Sequence, residues 1–303
     1  MNSLLKKLGK MKPIIFLDQL IFRVIDDEVF VTGTQLTFFL ILSVFPFIIM
    51  LLNILSYTPF VRPDALQNVL VYLPDATQKI FTSFINEITI SSSQSLLSIS
   101  AVLGLWSSSA GIKAVIKAID KAYNTPEKRS YIKLRIMSLF FTVALIILIV
   151  LVLLTLVFGE VLANKIFSLL GLTFFFKKLW QYIRILIPIL FMILIFALLY
   201  KFSPVTKEDN NISFLSTFPG ATFTTLGWMI TSILFSYYVN NFGRYAVTYG
   251  SLVGVILLFI WLYISSIIIV LGGEINATID FFKTHGYQLH KGKTMLGKLI
   301  EEI

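Results

Sequence analysis

The chain has 303 residues, 57% of them hydrophobic and only 14% charged, with a mean hydropathy of +0.86. Soluble domains carry about 25% charged residues, so the composition excludes an ordinary soluble globular protein, and the absence of cysteine excludes disulfide and thiolate chemistry. In such a chain a net charge of +9 reads as Lys and Arg held on the cytoplasmic side of a membrane, not as a nucleic-acid surface.

The first 30 residues are charged and amphipathic, unlike a cleavable signal peptide. Over residues 3–29, Ile14, Leu17, Ile21, Val24 and Ile25 fall on one helical face and Gln19, Arg23, Asp26 and Asp27 on the other. Such a helix either lies on the membrane or covers the bundle as a lid. A first span is expected over 34–57, with Gln35, Ser43 and Asn53 as its polar marks and Pro46 as a kink, because proline removes a backbone donor. The proline-containing stretch 58–93 reads as a loop with two short amphipathic pieces.

The second span, 94–110, holds six serines, Ser107 among them. A helix that polar belongs inside a bundle, packed through small residues or beside water. Residues 111–135 follow with Lys113, Lys117 and Lys121 opposite an apolar stripe of Ile112, Val115, Ile116, Ile119 and Tyr123, the pattern of a basic interfacial helix on an anionic leaflet. Span three, 136–158, is almost pure Leu, Ile and Val and is expected to face lipid. After a loop over 159–182, span four, 183–200, carries Arg184 and Pro188, and span five, 213–239, is lined with threonines such as Thr224.

Span six, 249–273, has about 22 uncharged residues between the Tyr249-Gly250-Ser251 turn and Glu274, enough to cross the hydrocarbon core. Gly250 and Gly254 form a GxxxG, which predicts close approach of another helix. Trp261 and Tyr263 lie mid-span and are expected to pack on protein. The fold expected is therefore all-α: one polytopic membrane domain over 1–303, six transmembrane helices with interfacial amphipathic helices. Residues 1–33, 111–135, 201–212 and 274–303 hold 18 of the 25 Lys and Arg, which places both termini in the cytoplasm.

Signatures of catalysis are thin. His285 and His290 are isolated in a polar tail, and no HExxH, GxSxG, Walker loop or GxGxxG occurs. No catalytic residue, metal site or cofactor is therefore expected. Charged groups in or beside spans turn toward the bundle interior or water and need partners. Arg184 can snorkel to the outer interface. Glu274, if its helix stops there, opposes the helix dipole and calls for a cation such as Lys201 or Arg135.

The chain resembles the YihY/virulence factor BrkB family of bacterial inner-membrane proteins over residues 30–280. The resemblance rests on Leu36-Thr37-Phe38-Phe39 with Ser43 and Pro46, Ala122-Tyr123-Asn124, Arg129-Ser130 with Leu134-Arg135, and Tyr200 to Pro204. It continues through Pro219-Gly220-Ala221 with Trp228, Asn241-Phe242-Gly243, Tyr249-Gly250-Ser251, Trp261-Leu262-Tyr263, and Gly272 with Glu274 and Asn276; Gly273 stands where alanine is expected. The resemblance implies a six-span inner-membrane protein and brings no substrate or catalytic residues. A ribonuclease label once attached to members is disfavoured by the residues present.

The polar-lined spans, the proline-broken helices and the basic interfacial segments favour a transporter or translocase of lipids, other amphiphiles or small solutes. A scaffold for envelope assembly is the second reading, and a membrane-bound hydrolase or nuclease the third. The residues expected to line a cavity or substrate path are Gln35, Ser43, Asn53, Ser107, Thr224, Arg184, Glu274 and Asn276, with Pro46, Gly250 and Gly254 packing helices. Partners expected are membrane lipids, anionic ones included, and further copies of the chain; nucleic acid is not expected.

Overall fold

The structure is a computed structural model that describes residues 11–56, 94–123, 128–157, 173–204, 212–242 and 252–286. These form seven helices: α1 Lys12–Asp26, α2 Val29–Ser56, α3 Gln94–Ala122, α4 Tyr131–Val157, α5 Thr173–Phe202, α6 Phe214–Phe242 and α7 Leu252–His285. No strand occurs among the described residues. Among the described residues five stretches are long and apolar enough to cross a membrane: Val102–Ala122, Tyr131–Leu151, Ile185–Phe202, Phe214–Val239 and Val253–Thr284. The first expected span is α2, whose described apolar part, Val29–Val44, is shorter.

Several boundaries differ from expectation for identifiable reasons. The serine-rich span and the basic interfacial helix are one continuous 29-residue helix, α3. Its Lys117 and Lys121 are exposed while Val115, Ile116 and Ile119 are buried, so the sidedness read from sequence is present without a break in the helix. Helix α5 starts at Thr173, inside the expected loop, because Lys177 and Lys178 interrupt the apolar pattern but not the backbone. Helix α7 runs 12 residues past Gly273, so Glu274 lies in the interior of a helix and not at its end.

The chain divides into two compact units, one of Met1–Ile41, Lys113–Leu134 and Ile193–Ile303, the other of Leu42–Ile112 and Arg135–Met192. In the second unit, α2 meets α3 at Gly104, where a Cβ would stand 2.8 Å from Met50 Cβ and 2.9 Å from the Pro46 carbonyl. Pro46 therefore sits at a helix contact. Helix α4 is two-faced despite its uniform sequence. Ser138 and Thr142 are buried and return their hydroxyls to the carbonyls of Arg135 (2.8 Å) and Ser138 (2.7 Å), while Ile136, Phe140, Val143 and Ile147 are exposed. The Arg135 guanidinium stacks 3.8 Å over the Trp106 ring and donates to the Trp106 carbonyl. Span three thus has an inner polar stripe that its hydropathy hid.

In the first unit the tightest seam joins α6 to α7. A Cβ on Gly220 would lie 2.1 Å from the Gly272 carbonyl, and one on Gly272 would lie 1.9 Å from Thr224 Oγ1. Only glycine permits this approach. By contrast, a Cβ on Gly254 would meet no described atom within 4 Å, and Gly250 lies outside the described residues. Among the described residues the close approach of glycines is between Gly220 of α6 and Gly272 of α7. Trp261 packs edge-on to Trp228 and donates its indole N–H to Ser232 Oγ at 3.3 Å, so it faces protein as expected.

Candidate functional site

Helix α7 carries two polar constellations on different faces. The first faces α6. Pro219 has no N–H to donate within its helix, and the next residue, Gly220, sends its N–H at 2.8 Å to Asn276 Oδ1. Asn276 Nδ2 donates back to the Thr217 carbonyl at 3.1 Å. Two helical turns before Asn276, the fully buried Tyr200 of α5 donates its O–H to the Ile269 carbonyl at 2.7 Å and meets Thr224 Oγ1 at 2.7 Å. Every hydrogen-bonding atom named here has a partner.

The second constellation surrounds Glu274, which is 0% exposed. Its nearest cation is neither Lys201 nor Arg135, as expected from the sequence, but Arg23 of α1, with Nη1 3.9 Å from Oε2. Lys201 instead lies 5.4 Å over Phe202 and 5.6 Å from Phe214. A separation of 3.9 Å is an ion pair but too long for a hydrogen bond. Among the described residues neither carboxylate oxygen of Glu274 has a hydrogen-bond partner. Arg23 gives its short bond elsewhere: Nη1 donates to the Ala122 carbonyl at 3.1 Å, at the C-terminal end of α3, where the helix dipole favours a cation. The guanidinium also lies 5.5 Å from the Phe281 ring of α7. Arg23 is thus shared by three helices.

Asp27 and Lys121 complete the electrostatic surroundings of Glu274. Lys121 Nζ lies 3.6 Å from Glu28 and donates to Thr32 Oγ1 at 3.3 Å. Glu28 has φ +51°, a left-handed turn that a non-glycine residue adopts at some cost in strain, and it lets α2 start directly after α1. Burial raises the Asp27 carboxyl above its usual range; Arg23 opposes this, Asp26 adds to it and Lys121 opposes it. A neighbouring pair supports the same end of the unit: Arg129, salt-bridged to Asp120, donates at 2.7 Å to the Ser203 carbonyl that closes α5.

The nominated cavity residues scatter across these environments. Glu274, Asn276 and Thr224 are buried in the first unit, and Ser43 is buried in the second. Gln35 and Ser107 are exposed. The side chains of Asn53 and Arg184 lie outside those described. Among the described residues one groove of about 340 Å³ lies between α6 and α7, walled by Ser232, Phe235, Leu257 and Trp261. A second, of about 460 Å³, lies beside Lys12, Pro13, Phe16 and Leu17 of α1. Neither is lined by a nominated residue. No three His, Asp or Glu side chains come together as a metal-ligand group among the described residues; the side chains of His285 and His290 lie outside them.

Sequence reasoning missed Arg23, Lys121 and Tyr200 as site residues. The signal for Arg23 was present: it is one of few charges on a helix that otherwise presents large apolar residues.

Comparison with known proteins agrees with these elements. The model of the family described as virulence factor BrkB matches residues 20–293, which span all seven helices apart from the start of α1. The chain belongs to the virulence factor BrkB family. Within that BrkB assignment, it is 36% identical over 264 residues to the ribonuclease-like protein YfkH of Bacillus subtilis (strain 168), covering 87% of this chain and 94% of that one. It is 26% identical over 265 residues to a UPF0761 membrane protein of Alteromonas mediterranea, 84% of each chain. A UPF0761 membrane protein of Pseudoalteromonas translucida matches a shorter stretch, at 35% identity over 28% of this chain and 27% of the other. No solved structure matches. This BrkB-family chain is accordingly an all-α membrane protein.

Proposed function

We propose that this protein moves an amphiphile, such as a lipid, or a small solute across the cytoplasmic membrane, and that the movement turns on Glu274 and Arg23. The observation that carries this reading is the carboxylate of Glu274: fully buried inside an apolar helix, without a hydrogen bond among the described residues, and answered at 3.9 Å by an arginine from another helix. Replacing a buried ion pair by apolar residues is often neutral or stabilising, so packing alone does not call for one. Ionisable groups at membrane depth characteristically mark substrate, ion or proton paths. The pair also joins α1, the lightest element of the unit, to α7, which gives a charge change at Glu274 a mechanical consequence. The distribution of Lys and Arg supports a topology with both termini in the cytoplasm. No nuclease role is assigned, because His285 and His290 stand five residues apart in a polar tail without a companion carboxylate motif.

The test is reconstitution into vesicles of phosphatidylethanolamine and phosphatidylglycerol. Loss of fluorescent lipid to an external quencher and release of a trapped solute are followed for the wild type, Glu274→Gln and the exposed control Lys133→Gln. Wild type and Lys133→Gln should move lipid or solute faster than protein-free vesicles, and Glu274→Gln should not. Wild-type rates equal to those of empty vesicles overturn the proposal.

The scaffold reading has its own support in the α6–α7 seam, where glycine contacts and the two hydrogen bonds of Asn276 hold the helices in close approach. It becomes the better account if the wild type is inactive while Gly272→Ala abolishes recovery of a partner complex from membranes.

A further inference from the structure

We infer that the outward face of α1, formed by Leu17, Ile21 and Ile25, docks into the acyl region of one membrane leaflet, while its polar face holds the helix to the bundle. The polarity of α1 is the reverse of a lid on a water-facing surface. Asp18 and Gln19 are buried together with Ile15 and Phe22, whereas Leu17, Ile21 and Ile25 are 54%, 52% and 57% exposed. These three residues are spaced four apart and so form one line along the helix. The inner face is anchored by Arg23 through Ala122 and Glu274, and by the Phe16–Phe282 contact, with ring centroids 6.2 Å apart.

The occupant of the outer face follows from what surrounds it. The next helix, α2, leaves Phe30, Val31, Phe38 and Phe39 exposed, so the outer surface of the same unit is apolar on both sides of the α1–α2 turn. That surface belongs to a chain whose described residues include five helices fit to cross a bilayer, so hydrocarbon is at hand to cover it. At the turn itself stand charges of both signs, with Asp26 and Glu28 exposed. Lys121 touches Glu28 and Thr32, and Lys117, one helical turn earlier on α3, is exposed. An apolar line that ends in charged residues matches a leaflet, with acyl chains along the line and polar head groups at its rim. The inference stands whether or not the protein transports anything.

The chain has no cysteine, so Leu17→Cys, Ile21→Cys, Ile25→Cys and Asp26→Cys each give one labelling site. Asp26 is exposed and lies on the opposite side of α1 from Ile21. The full chain carrying a nitroxide at each position is reconstituted in phosphatidylethanolamine/phosphatidylglycerol vesicles. Collision with membrane-dissolved oxygen is then compared with collision with a water-soluble nickel complex. Oxygen should dominate at 17, 21 and 25 and the nickel complex at 26. Nickel access at all four positions overturns the proposal, because α1 then faces water. Spin–spin broadening at 21 that vanishes on dilution with unlabelled chain also overturns it, because the face then meets a second copy. Three independent positions on the face keep the test decisive if one variant fails to fold.

Discussion

Two faces of α7, only two residues apart in sequence, treat polar groups in opposite ways. Toward α6, Asn276 accepts from the Gly220 N–H and donates to the Thr217 carbonyl, and the helices touch at Gly220 and Gly272. Toward α1, Glu274 is as deeply buried but only approached by its partner at 3.9 Å. The first face is a neutral, closed network of the kind that fixes a unique packing. The second holds a charge in a place where its cation has stronger bonds elsewhere. The difference separates a contact that builds the unit from one that is poised to change.

The largest effect should come from closing the gap on the α6 face. Gly272→Ala places a methyl group within 2 Å of Thr224 Oγ1 and near Tyr200 Oη, both on buried groups that cannot retreat freely. Overpacking of this kind costs about 1–3 kcal/mol and more where backbone must move, so the variant should lose most of its monodisperse fraction on size exclusion. Gly273→Ala is the contrast. Its Cβ would lie 3.7 Å from Ala122 Cβ and 3.8 Å from Ile119 and Tyr200, which is ordinary contact. Alanine in a helix interior gains about 0.5–1 kcal/mol over glycine, so this variant should melt higher than wild type. The expectation that alanine fits at 273 has this geometric basis.

Next in size is the charge face. Arg23→Ala takes the ion-pair partner from Glu274 and leaves only the more distant Lys121, and breaking a buried pair costs about 3–5 kcal/mol; the long separation here puts the expected loss at the lower end. Adding Glu274→Gln should restore much of the melting temperature, since no charge is then left alone. If the double variant is no more stable than Arg23→Ala, the bond to Ala122, not the ion pair, is what Arg23 contributes. Asn276→Ala should follow, by about 1–3 kcal/mol, because the Gly220 N–H loses its acceptor. Unlike Arg23→Ala, it should not be rescued by Glu274→Gln.

The smallest effect is a pH dependence at Asp27. Its carboxyl is raised in the folded protein, first by burial, so the folded state binds this proton more tightly than the unfolded chain does. The stabilisation is present in full below the unfolded value of 3.8 and is lost as pH rises through the raised value. Asp27→Asn should therefore raise the melting temperature at pH 7 and have little effect at pH 3. An equal change at both pH values would assign the effect to lost hydrogen bonding at the turn.

The sequence by itself determined the class, because apolar runs long enough to cross hydrocarbon leave few alternatives to helices. It also singled out Glu274, Asn276 and Thr224, as lining of one cavity and not as members of two separate constellations. It did not determine where helices end when a charge falls inside them, as at Lys177 in α5 and Glu274 in α7, because tertiary packing can hold a charge that hydropathy counts as a boundary. Nor did it identify which glycine would be approached: Gly254 fits the small-residue pattern and Gly272 fits the neighbour. Tertiary structure alone decided that the polar face of α1 turns inward, that Arg23 and not Lys201 answers Glu274, and that α4 conceals an arginine, a serine and a threonine. Periodicity reports that a helix has two faces. Which face is inside depends on whether water, lipid or another helix lies beyond it, and that is a property of the assembled molecule.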